Sequence, residues 1–534
     1  MKKQINLYLS LLIGALIIVS SLFFLSTYLY NWDTGQFALG LEHFDVKMHQ
    51  PHPPGYPIFI FLGKILDYIF NNANLSLSIL SLLFATLAGV FFYYLVITVS
   101  KNQKLAFMSS LFFIFNPVFW FYREVALTYT VDLLASILIA LAGFKILFTR
   151  QYKYFYLIAL VFGLVGGIRP SLLPLLFPLM ILILFFVRSK KVVFWSLTLF
   201  VICFLSWFVP MVYISGGLKE YYDTTLNLFL AAAESTSIFS QIKTFGGILF
   251  VAICGILIPL LLSVFYYFNA KNIWKKFKAI NNNFSLIKFT LIILAWILPA
   301  SFVYSFLHFG QPGYVLVILP AFYLLSILGM SYFLQGKIKF AILLILLIGQ
   351  ALIFLIPGYS TAIDFRLSRI DPWLTKFSAN KIIENDKKLE TIFTSINNYI
   401  NSRGLNDKEV IMIVPRNLFY MENGIEMRND EIFRQIMYYY PNIEILELAP
   451  NRDYYLKGEN YKTETVKKNK YSLSENKKAA IFVANNIEEQ DMPTNLKLQK
   501  SNRIYFADLE KINNFTFLEN KFQFKKTKDC DCGN

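Results

Sequence analysis

Repeated runs of about 20 apolar residues restrict the fold of this chain more than any other feature of its sequence. An α-helix needs about 20 apolar residues to cross the hydrocarbon core of a bilayer, and soluble domains seldom contain such runs. Hydrophobic residues make up 56% of the 534 positions, whereas soluble domains contain roughly 45–50%. We therefore expect a polytopic α-helical membrane protein.

About eleven segments have the length and apolarity of membrane spans. The first follows Lys2 and Lys3 and lacks the small-residue cleavage site of a signal peptide, so we expect it to be retained. A further segment, Ile58–Phe70, is too short to cross and is predicted to lie along the outer interface. The predicted spans are Leu7–Tyr28, Leu75–Ser100, Leu105–Phe121, Thr128–Phe148, Tyr154–Gly167, Pro170–Val187, Val192–Ile214, Gly246–Phe268, Ser285–Leu307, Tyr314–Leu334 and Phe340–Pro357.

The positions of the basic residues predict the orientation of these spans. The net charge is +16, which on its own would suggest a nucleic-acid partner. Much of the charge, however, falls in short loops between apolar segments, where Lys and Arg mark the cytoplasmic side. Alternating the spans from a cytoplasmic N-terminus puts about twice as many basic residues in cytoplasmic loops as in outside loops. The odd number of spans then predicts that the C-terminal region is extracytoplasmic.

The composition changes sharply after the last apolar run, where Lys, Asn and Glu become frequent. We predict a transmembrane catalytic domain over residues 1–358 and an extracytoplasmic soluble α/β domain over 359–534. Helical and strand patterns alternate in this second domain. The predicted helices are Lys387–Ile400 and Asp430–Tyr440, and the predicted strands are Val410–Pro415, Ile443–Leu448 and Ala479–Val483.

The cysteines indicate no redox or metal chemistry. Cys203 and Cys254 fall in apolar segments and are read as inert core residues, while Cys530 and Cys532 end the chain as C-D-C. A metal or redox role for this terminal pair is the less favoured alternative.

The stretch Asn31–Lys64 lies between two apolar segments and yet is rich in titratable side chains. Such groups beside a membrane span are costly unless they line a water-filled site. A run of prolines with Gly55 inside it is expected to break any helix there. The stretch therefore predicts an active-site loop, and its titratable residues include Asp33, Glu42, His43, Asp45, His49 and His52.

Asp33 and His52 are the first candidates for chemistry in this loop. Asp33 follows Trp32 where the first span should leave the bilayer, so its carboxylate could accept a proton from an incoming hydroxyl. His52 begins the sequence H-P-P-G, and its protonated imidazole could pair with a phosphate oxygen. All four histidines fall on the predicted outer side, so a bound divalent metal is an alternative, although their spacing matches no recognised ligand pattern.

Two predicted outer segments carry arginines. Arg123 and Glu124 lie in an aromatic stretch shortly before Asp132. They could form a pocket wall, or they could be an exposed ion pair that contributes little to stability. Arg169 lies in GLVGGIRPS, between two apolar runs that are barely long enough to span. A buried arginine at such a break needs an anionic partner: a lipid phosphate, or an acidic side chain of a neighbouring helix.

The last candidate group is His308, Gln311 and Tyr314, on a turn containing Pro312 and Gly313. These side chains could supply hydrogen bonds to the same outer cavity, or the segment could be an ordinary turn between helices. The stretch Ser215–Phe245, also predicted to lie outside, could act as a lid or only as a connection.

Together these residues resemble the GT-C glycosyltransferases, and within them the protein O-mannosyltransferase-like and RgtA/B/C/D-like enzymes that carry an H-P-P-G-x-P stretch. The resemblance covers about the first 355 residues, and it rests on Asp33, His52–Pro57, Gly167–Ser171 and Gln311–Tyr314. Many relatives have a second acidic residue close to the first. This chain has Asp33-Thr34-Gly35-Gln36, which leaves Glu42, Asp45 and Glu124 as candidates for that second position.

This resemblance implies a polyprenyl-phosphate sugar as donor and an acceptor hydroxyl on a glycan, lipid or protein. It also implies that Asp33 is the catalytic acidic residue. Arg169 and His52 are then expected to hold the leaving phosphate, with Arg123, Glu124, His308, Gln311 and Tyr314 shaping the donor pocket. The rival function is a lipid or lipid-linked-glycan transporter, but transporters tend to show internal repeats and polar residues near the bilayer midplane, and the sequence has neither.

Overall fold

A computed structural model describes residues 2–234, 238–269, 285–307, 311–355 and, with short gaps, 375–525. Cα packing divides the chain into two compact units. The first consists of Met1–Thr27 with Pro53–Ile383, and the second of Tyr28–His52 with Glu384–Asn534. The domain boundary predicted between residues 358 and 359 falls in 356–374, outside the described residues, as do Cys530 and Cys532.

The first unit is helical, which confirms the predicted polytopic membrane fold. Seven helices in the described ranges are long and apolar enough to cross a membrane. Helix Tyr129–Thr149 is the most enclosed, with 89% of its apolar window buried, and it packs against Ala73–Ser100 and Tyr154–Ile168. The seven spans are Lys3–Ser21, Ala73–Ser100, Tyr129–Thr149, Lys190–Ile214, Gln241–Phe265, Leu286–Leu307 and Lys337–Leu355.

The described residues contain fewer long uninterrupted spans than the eleven segments predicted. The apolar run predicted as Leu105–Phe121 is two helices, Gln103–Ile114 and Pro117–Arg123, that meet at 65°. The bend has a local cause: Pro117 begins the second helix, and the Asn116 side chain accepts a hydrogen bond from the Phe119 amide at 3.0 Å. Counting this pair as one span gives up to eight.

Three other predicted spans are short or divided. Their apolar content was read correctly, but apolar runs buried inside a bundle do not have to match the bilayer thickness. The corresponding helices are Tyr154–Ile168, Leu172–Leu184, Leu319–Leu325 and Ile327–Phe333, with a 3₁₀ helix at Pro312–Val317. The remaining helices of this unit are Pro57–Phe70 and Leu218–Glu234. The span Gln241–Phe265 contains parts of two α-helices, Ile238–Ile253 and Leu257–Asn269.

Helix Pro57–Phe70 buries apolar side chains on one side and exposes apolar side chains on the other. Phe59 and Ile60 are buried, whereas Phe61, Ile65 and Tyr68 are exposed. With 14 residues it reaches only about 21 Å, which is shorter than the hydrocarbon core.

The second unit is an α/β domain, and its three predicted strands are confirmed with boundaries within one residue. They are β1 (Val410–Pro415), β4 (Glu444–Leu448) and β8 (Ala479–Phe482), and they run parallel to one another. Four antiparallel strands flank them: β5 (Tyr454–Lys457), β6 (Thr463–Val466), β9 (Leu498–Ser501) and β10 (Ile504–Asp508). The resulting seven-stranded sheet has the order β6-β5-β4-β1-β8-β10-β9.

Strict alternation of apolar side chains gives this sheet two buried faces. In β1, Val410, Met412 and Val414 face the core shared with helices Ala379–Ser402 and Phe433–Tyr439. Ile411 and Ile413 face the opposite core, which is closed by a three-stranded sheet. That sheet consists of β7 (Lys470–Ser474), β11 (Asn514–Phe517) and β12 (Asn520–Lys525), while β2 (Phe419–Glu422) and β3 (Ile425–Arg428) form a separate hairpin.

Residues Tyr28–His52, which we call the Asp33 segment, belong to this second unit. The predicted loop is in fact largely helical: Trp32–Glu42 forms a helix of 11 residues. Its Leu39 is fully buried in the core beneath β1. The preceding helix ends at Ser21 rather than at the predicted Tyr28.

Candidate functional site

Asp33 is the second residue of helix Trp32–Glu42. Asn31 caps this helix: its side-chain oxygen accepts from the Thr34 amide at 3.1 Å, and its own amide donates to Thr34 Oγ1 at 3.0 Å. Asp33 is half-buried and lies in the first turn of this helix.

The chain after this helix turns back through a short antiparallel bridge. Asp45 and Gln50 exchange backbone hydrogen bonds at 2.6 and 2.8 Å, and the Asp45 carboxylate accepts from the Lys47 and Met48 amides. Asp45 thus has a structural task in the turn. The half-buried His52 closes the segment, and its ring lies 5.4 Å from that of Phe37, centroid to centroid.

Arg123 and Glu124 form a closed structural pair. Both are 0% exposed. Arg123 Nε donates to Glu124 at 3.2 Å, Nη1 to the Ile114 carbonyl at 3.0 Å and Nη2 to Ser20 Oγ at 2.6 Å. Each guanidinium nitrogen therefore has a protein acceptor, and the ring of Trp120 lies 4.9 Å away. This geometry favours an anchor for the bent helix over the predicted pocket wall.

Arg169 has a different environment. It lies between helices Tyr154–Ile168 and Leu172–Leu184 and is 4% exposed. Its Nε is 3.3 Å from the Asp132 carboxylate, and its Nη1 donates to Thr128 Oγ1 at 3.0 Å. Of the two partners that the sequence left open, the described residues supply the acidic side chain of a neighbouring helix.

Aromatic rings enclose the Arg169 guanidinium. It lies 4.2 Å from the Tyr129 ring centroid and 5.1 Å from that of Tyr314. Tyr314 stacks in turn on Tyr304, with centroids 4.8 Å apart. Such faces stabilise a cation where little water reaches it. We call these residues the Arg169 cluster: Asp132, Tyr129, Thr128, Arg169, Tyr304 and Tyr314.

Of the third predicted group, His308, Gln311 and Tyr314, the structure describes the last two residues. Tyr314 is a member of the Arg169 cluster, through its contacts with Arg169 and Tyr304. Gln311 precedes the 3₁₀ helix Pro312–Val317 in an extended conformation, and its carbonyl accepts from the Tyr314 amide at 3.2 Å. His308 lies outside the described residues.

From the sequence, Asp132 was named without a role, and neither Tyr129 nor Arg434 was identified. A signal existed for Asp132, since a lone carboxylate inside an apolar run needs a cationic partner. No local signal marked Arg434, a fully buried arginine of the C-terminal domain. Its contacts are formed with residues nearly 400 positions away, as described below.

The part of the chain that the structure describes contains no set of side chains that could ligate a metal ion. No group of three or more His, Cys, Asp or Glu side chains is close enough there to hold an ion. Cys203 and Cys254 are free and half-buried.

Comparison with known proteins finds a likeness to the same kind of protein as the sequence motifs. The model of the N-terminal domain of the TMEM260 protein O-mannosyl-transferase matches residues 33–193, a stretch that includes Asp33, His52 and Arg169. The protein O-mannosyl-transferase tmem260 of Dictyostelium discoideum is 33% identical over 95 residues. This match covers 17% of the chain and 11% of that protein.

Solved structures extend the likeness over nearly the whole chain. ArnT from Cupriavidus metallidurans bound to undecaprenyl phosphate matches with a TM-score of 0.55 and 10% identity, covering 93% of this chain and 97% of ArnT. Its apo state gives the same TM-score at 11% identity, covering 95% and 98%. The predicted resemblance to GT-C glycosyltransferases is confirmed, and the chain has a multi-pass membrane fold like that of ArnT.

Proposed function

We propose that this chain is a membrane glycosyltransferase that uses a polyprenyl-phosphate-linked sugar. Its acceptor is a hydroxyl of a glycan, lipid or protein on the outer face of the cell membrane. The N-terminus is then cytoplasmic and the C-terminal α/β domain extracytoplasmic, in agreement with the distribution of Lys and Arg. A hexose and a pentose fit this chemistry equally well.

The observation that carries the proposal is the Arg169 cluster. A guanidinium offers five N–H donors in a planar fork. Among the described residues, the Thr128 hydroxyl accepts a hydrogen bond from Nη1, and the Asp132 carboxylate lies 3.3 Å from Nε as an ion pair without a hydrogen bond. Donors therefore remain for the oxygens of a phosphate, whereas every nitrogen of Arg123 is already engaged. The undecaprenyl phosphate bound by ArnT, which has the same fold, is a ligand of the required kind.

The proposed reaction assigns a different task to each residue. Asp33 accepts the proton of the acceptor hydroxyl while its oxygen attacks the anomeric carbon. The bond between that carbon and the phosphate oxygen breaks, and the polyprenyl phosphate leaves with the bonding electrons. Arg169 stabilises the negative charge that grows on the phosphate, with His52 as a second donor. Gln311, Tyr314 and His308 contact the donor sugar.

Sugar transfer by purified full-length protein tests the proposal. The donors are radiolabelled polyprenyl-phosphate hexoses and pentoses, and cell-envelope extract supplies the acceptors. Asp33→Asn is expected to reduce transfer by about 10²–10⁴-fold, because it removes the general base. Arg169→Lys is expected to weaken donor binding, because a point charge replaces a fork that binds two oxygens.

Asp407→Asn is the matched control for Asp33→Asn. Asp407 also lies in the first turn of a short helix of the same compact unit, but outside the Asp33 segment. Its replacement is expected to leave transfer unchanged. Equal transfer by wild type and Asp33→Asn would remove Asp33 from the mechanism. Protein-dependent lipid movement in liposomes without transfer from any donor would favour the transporter instead.

A further inference from the structure

We propose that Arg434, in the C-terminal α/β domain, is a positioning residue that fixes the orientation of Asp33. This inference rests on the proposed function for the role of Asp33, but the geometry behind it is independent of any activity. It also gives the C-terminal domain a task, namely to hold the Asp33 segment in place.

Arg434 contacts the Asp33 segment at two places, one before Asp33 and one after it. Its side chain is fully buried. The guanidinium carbon lies 5.1 Å from the ring centroid of Trp32, the residue before Asp33. Its Nη1 donates to the Met48 carbonyl at 3.2 Å, in the turn that follows the helix. One planar cation thus contacts the start of the helix and the returning chain together.

At Gly35 the backbone of helix Trp32–Glu42 packs directly against Arg434. A Cβ atom on Gly35 would lie 2.8 Å from Arg434 Cβ, 2.9 Å from its carbonyl carbon and 3.1 Å from the Gln435 amide nitrogen. Real Cβ atoms essentially never approach heavy atoms within 3.0 Å. Glycine at position 35 is therefore required for this contact, and Asp33 lies only two residues before it.

Other contacts hold the segment to the same domain upstream of Asp33. The Leu29 amide donates to the Tyr439 hydroxyl at 3.1 Å, and the Tyr28 amide donates to Asp386 at 3.3 Å. These bonds anchor the chain before the helix. The rotation of helix Trp32–Glu42 is then set by its contact with helix Phe433–Tyr439, to which Arg434 belongs.

Because Arg434 acts through Trp32 and the Met48 carbonyl, its loss should affect the rate more than donor binding. A displacement of about 1 Å at a reacting group costs roughly 100-fold in rate. For Arg434→Gln we expect kcat to fall about 10- to 100-fold, with the KM for the donor nearly unchanged. Arg434→Lys keeps a cation over Trp32 and a donor near Met48, and should recover part of that loss.

Hydrogen exchange gives a readout that needs no activity. In Arg434→Gln the amides of Trp32–Glu42 should exchange faster than in wild type, while those of β1 and β8 remain protected. Arg403→Gln is the control, since it also removes an arginine of this domain. The Arg403 guanidinium forms a partly exposed ion pair with Asp508 at 2.9 Å and lies over the Tyr399 ring.

Local acceleration in Arg434→Gln but not in Arg403→Gln, with a lower kcat, supports the proposal. Unchanged exchange over Trp32–Glu42 overturns it, whatever the activity. If wild type transfers no sugar, the proposed function fails and exchange alone decides on Arg434. If Arg434→Gln unfolds the domain, Gly35→Ala replaces it, since it strains the same contact from the other side. Exchange unchanged in a folded Gly35→Ala protein then overturns the proposal.

Discussion

Replacing Gly313 by alanine is expected to displace Tyr129 and thereby destabilise the Arg169 cluster. A Cβ atom at position 313 would lie 2.4 Å from Tyr129 Cγ and 2.6 and 2.7 Å from its two Cδ atoms. Carbon atoms in contact need about 3.5–4.0 Å, so the ring must retreat by about 1 Å. Its other sides are occupied by Arg169, 4.2 Å away, and by Tyr122, whose ring centroid is 4.8 Å away.

The cost follows from overpacking a buried site. Added carbon atoms in a packed core typically cost about 1–3 kcal/mol. At about 2 kcal/mol the ratio of folded to unfolded protein falls roughly 30-fold. Gly349→Ala is the matched control, since nothing lies within 4 Å of a Cβ atom there, in the exposed part of helix Lys337–Leu355. Alanine should stabilise that helix by up to about 1 kcal/mol.

Denaturant unfolding of the detergent-solubilised protein measures both changes, and binding of undecaprenyl phosphate measures the effect on Arg169. We expect Gly313→Ala to be less stable than wild type and Gly349→Ala, and to bind the phosphate more weakly because Arg169 moves with the Tyr129 ring. Equal stability of Gly313→Ala and wild type would refute the contact. Lower stability with unchanged phosphate binding would keep the contact but remove Arg169 from donor binding.

Two further substitutions test buried polar contacts. Asp132→Asn leaves the buried Arg169 without its carboxylate, so the free energy of unfolding should fall by about 3–5 kcal/mol in denaturant titration, and an unchanged value would contradict the ion pair. Tyr439→Phe removes the acceptor of the buried Leu29 amide, so it should cost about 1–3 kcal/mol and speed hydrogen exchange at Leu29. Burial also raises the pKa of Tyr439 above its ordinary value of 10. The folded state therefore favours the protonated phenol, and this stabilisation is complete below pH 10 and declines as the pH rises further. A pH series should show a smaller alkaline loss in Tyr439→Phe than in wild type.

Features that depend on nearby residues were predictable from the sequence. Strands β1, β4 and β8 were found because each is a short apolar run with turn residues at its ends. The long spans were found because apolar length reports on the bilayer directly. The break at Asn116-Pro117 was not predicted, because apolarity alone does not show where one helix ends and a new one begins.

The helix over Trp32–Glu42 was read as a loop for a physical reason. Its neighbouring prolines and histidines suggested irregular backbone, but those prolines come after the helix has ended. The Asn31 cap with Thr34 three residues later was a readable signal for the beginning of a helix. Burial of Thr34–Leu41 on most sides hid the usual alternation between apolar and polar faces.

Three buried arginines show where sequence reasoning ends. From the sequence we can infer only that a buried arginine needs partners. Arg123 donates from all three nitrogens to its surroundings, so its task is to hold a bent helix. Arg434 contacts the Asp33 segment at Trp32 and at Met48, and these contacts are the basis of its proposed positioning role. Arg169 is fixed by Asp132, Thr128 and two tyrosine faces, yet its fork is only partly engaged by the described residues. These different surroundings are why we propose phosphate binding for Arg169 and not for Arg123 or Arg434.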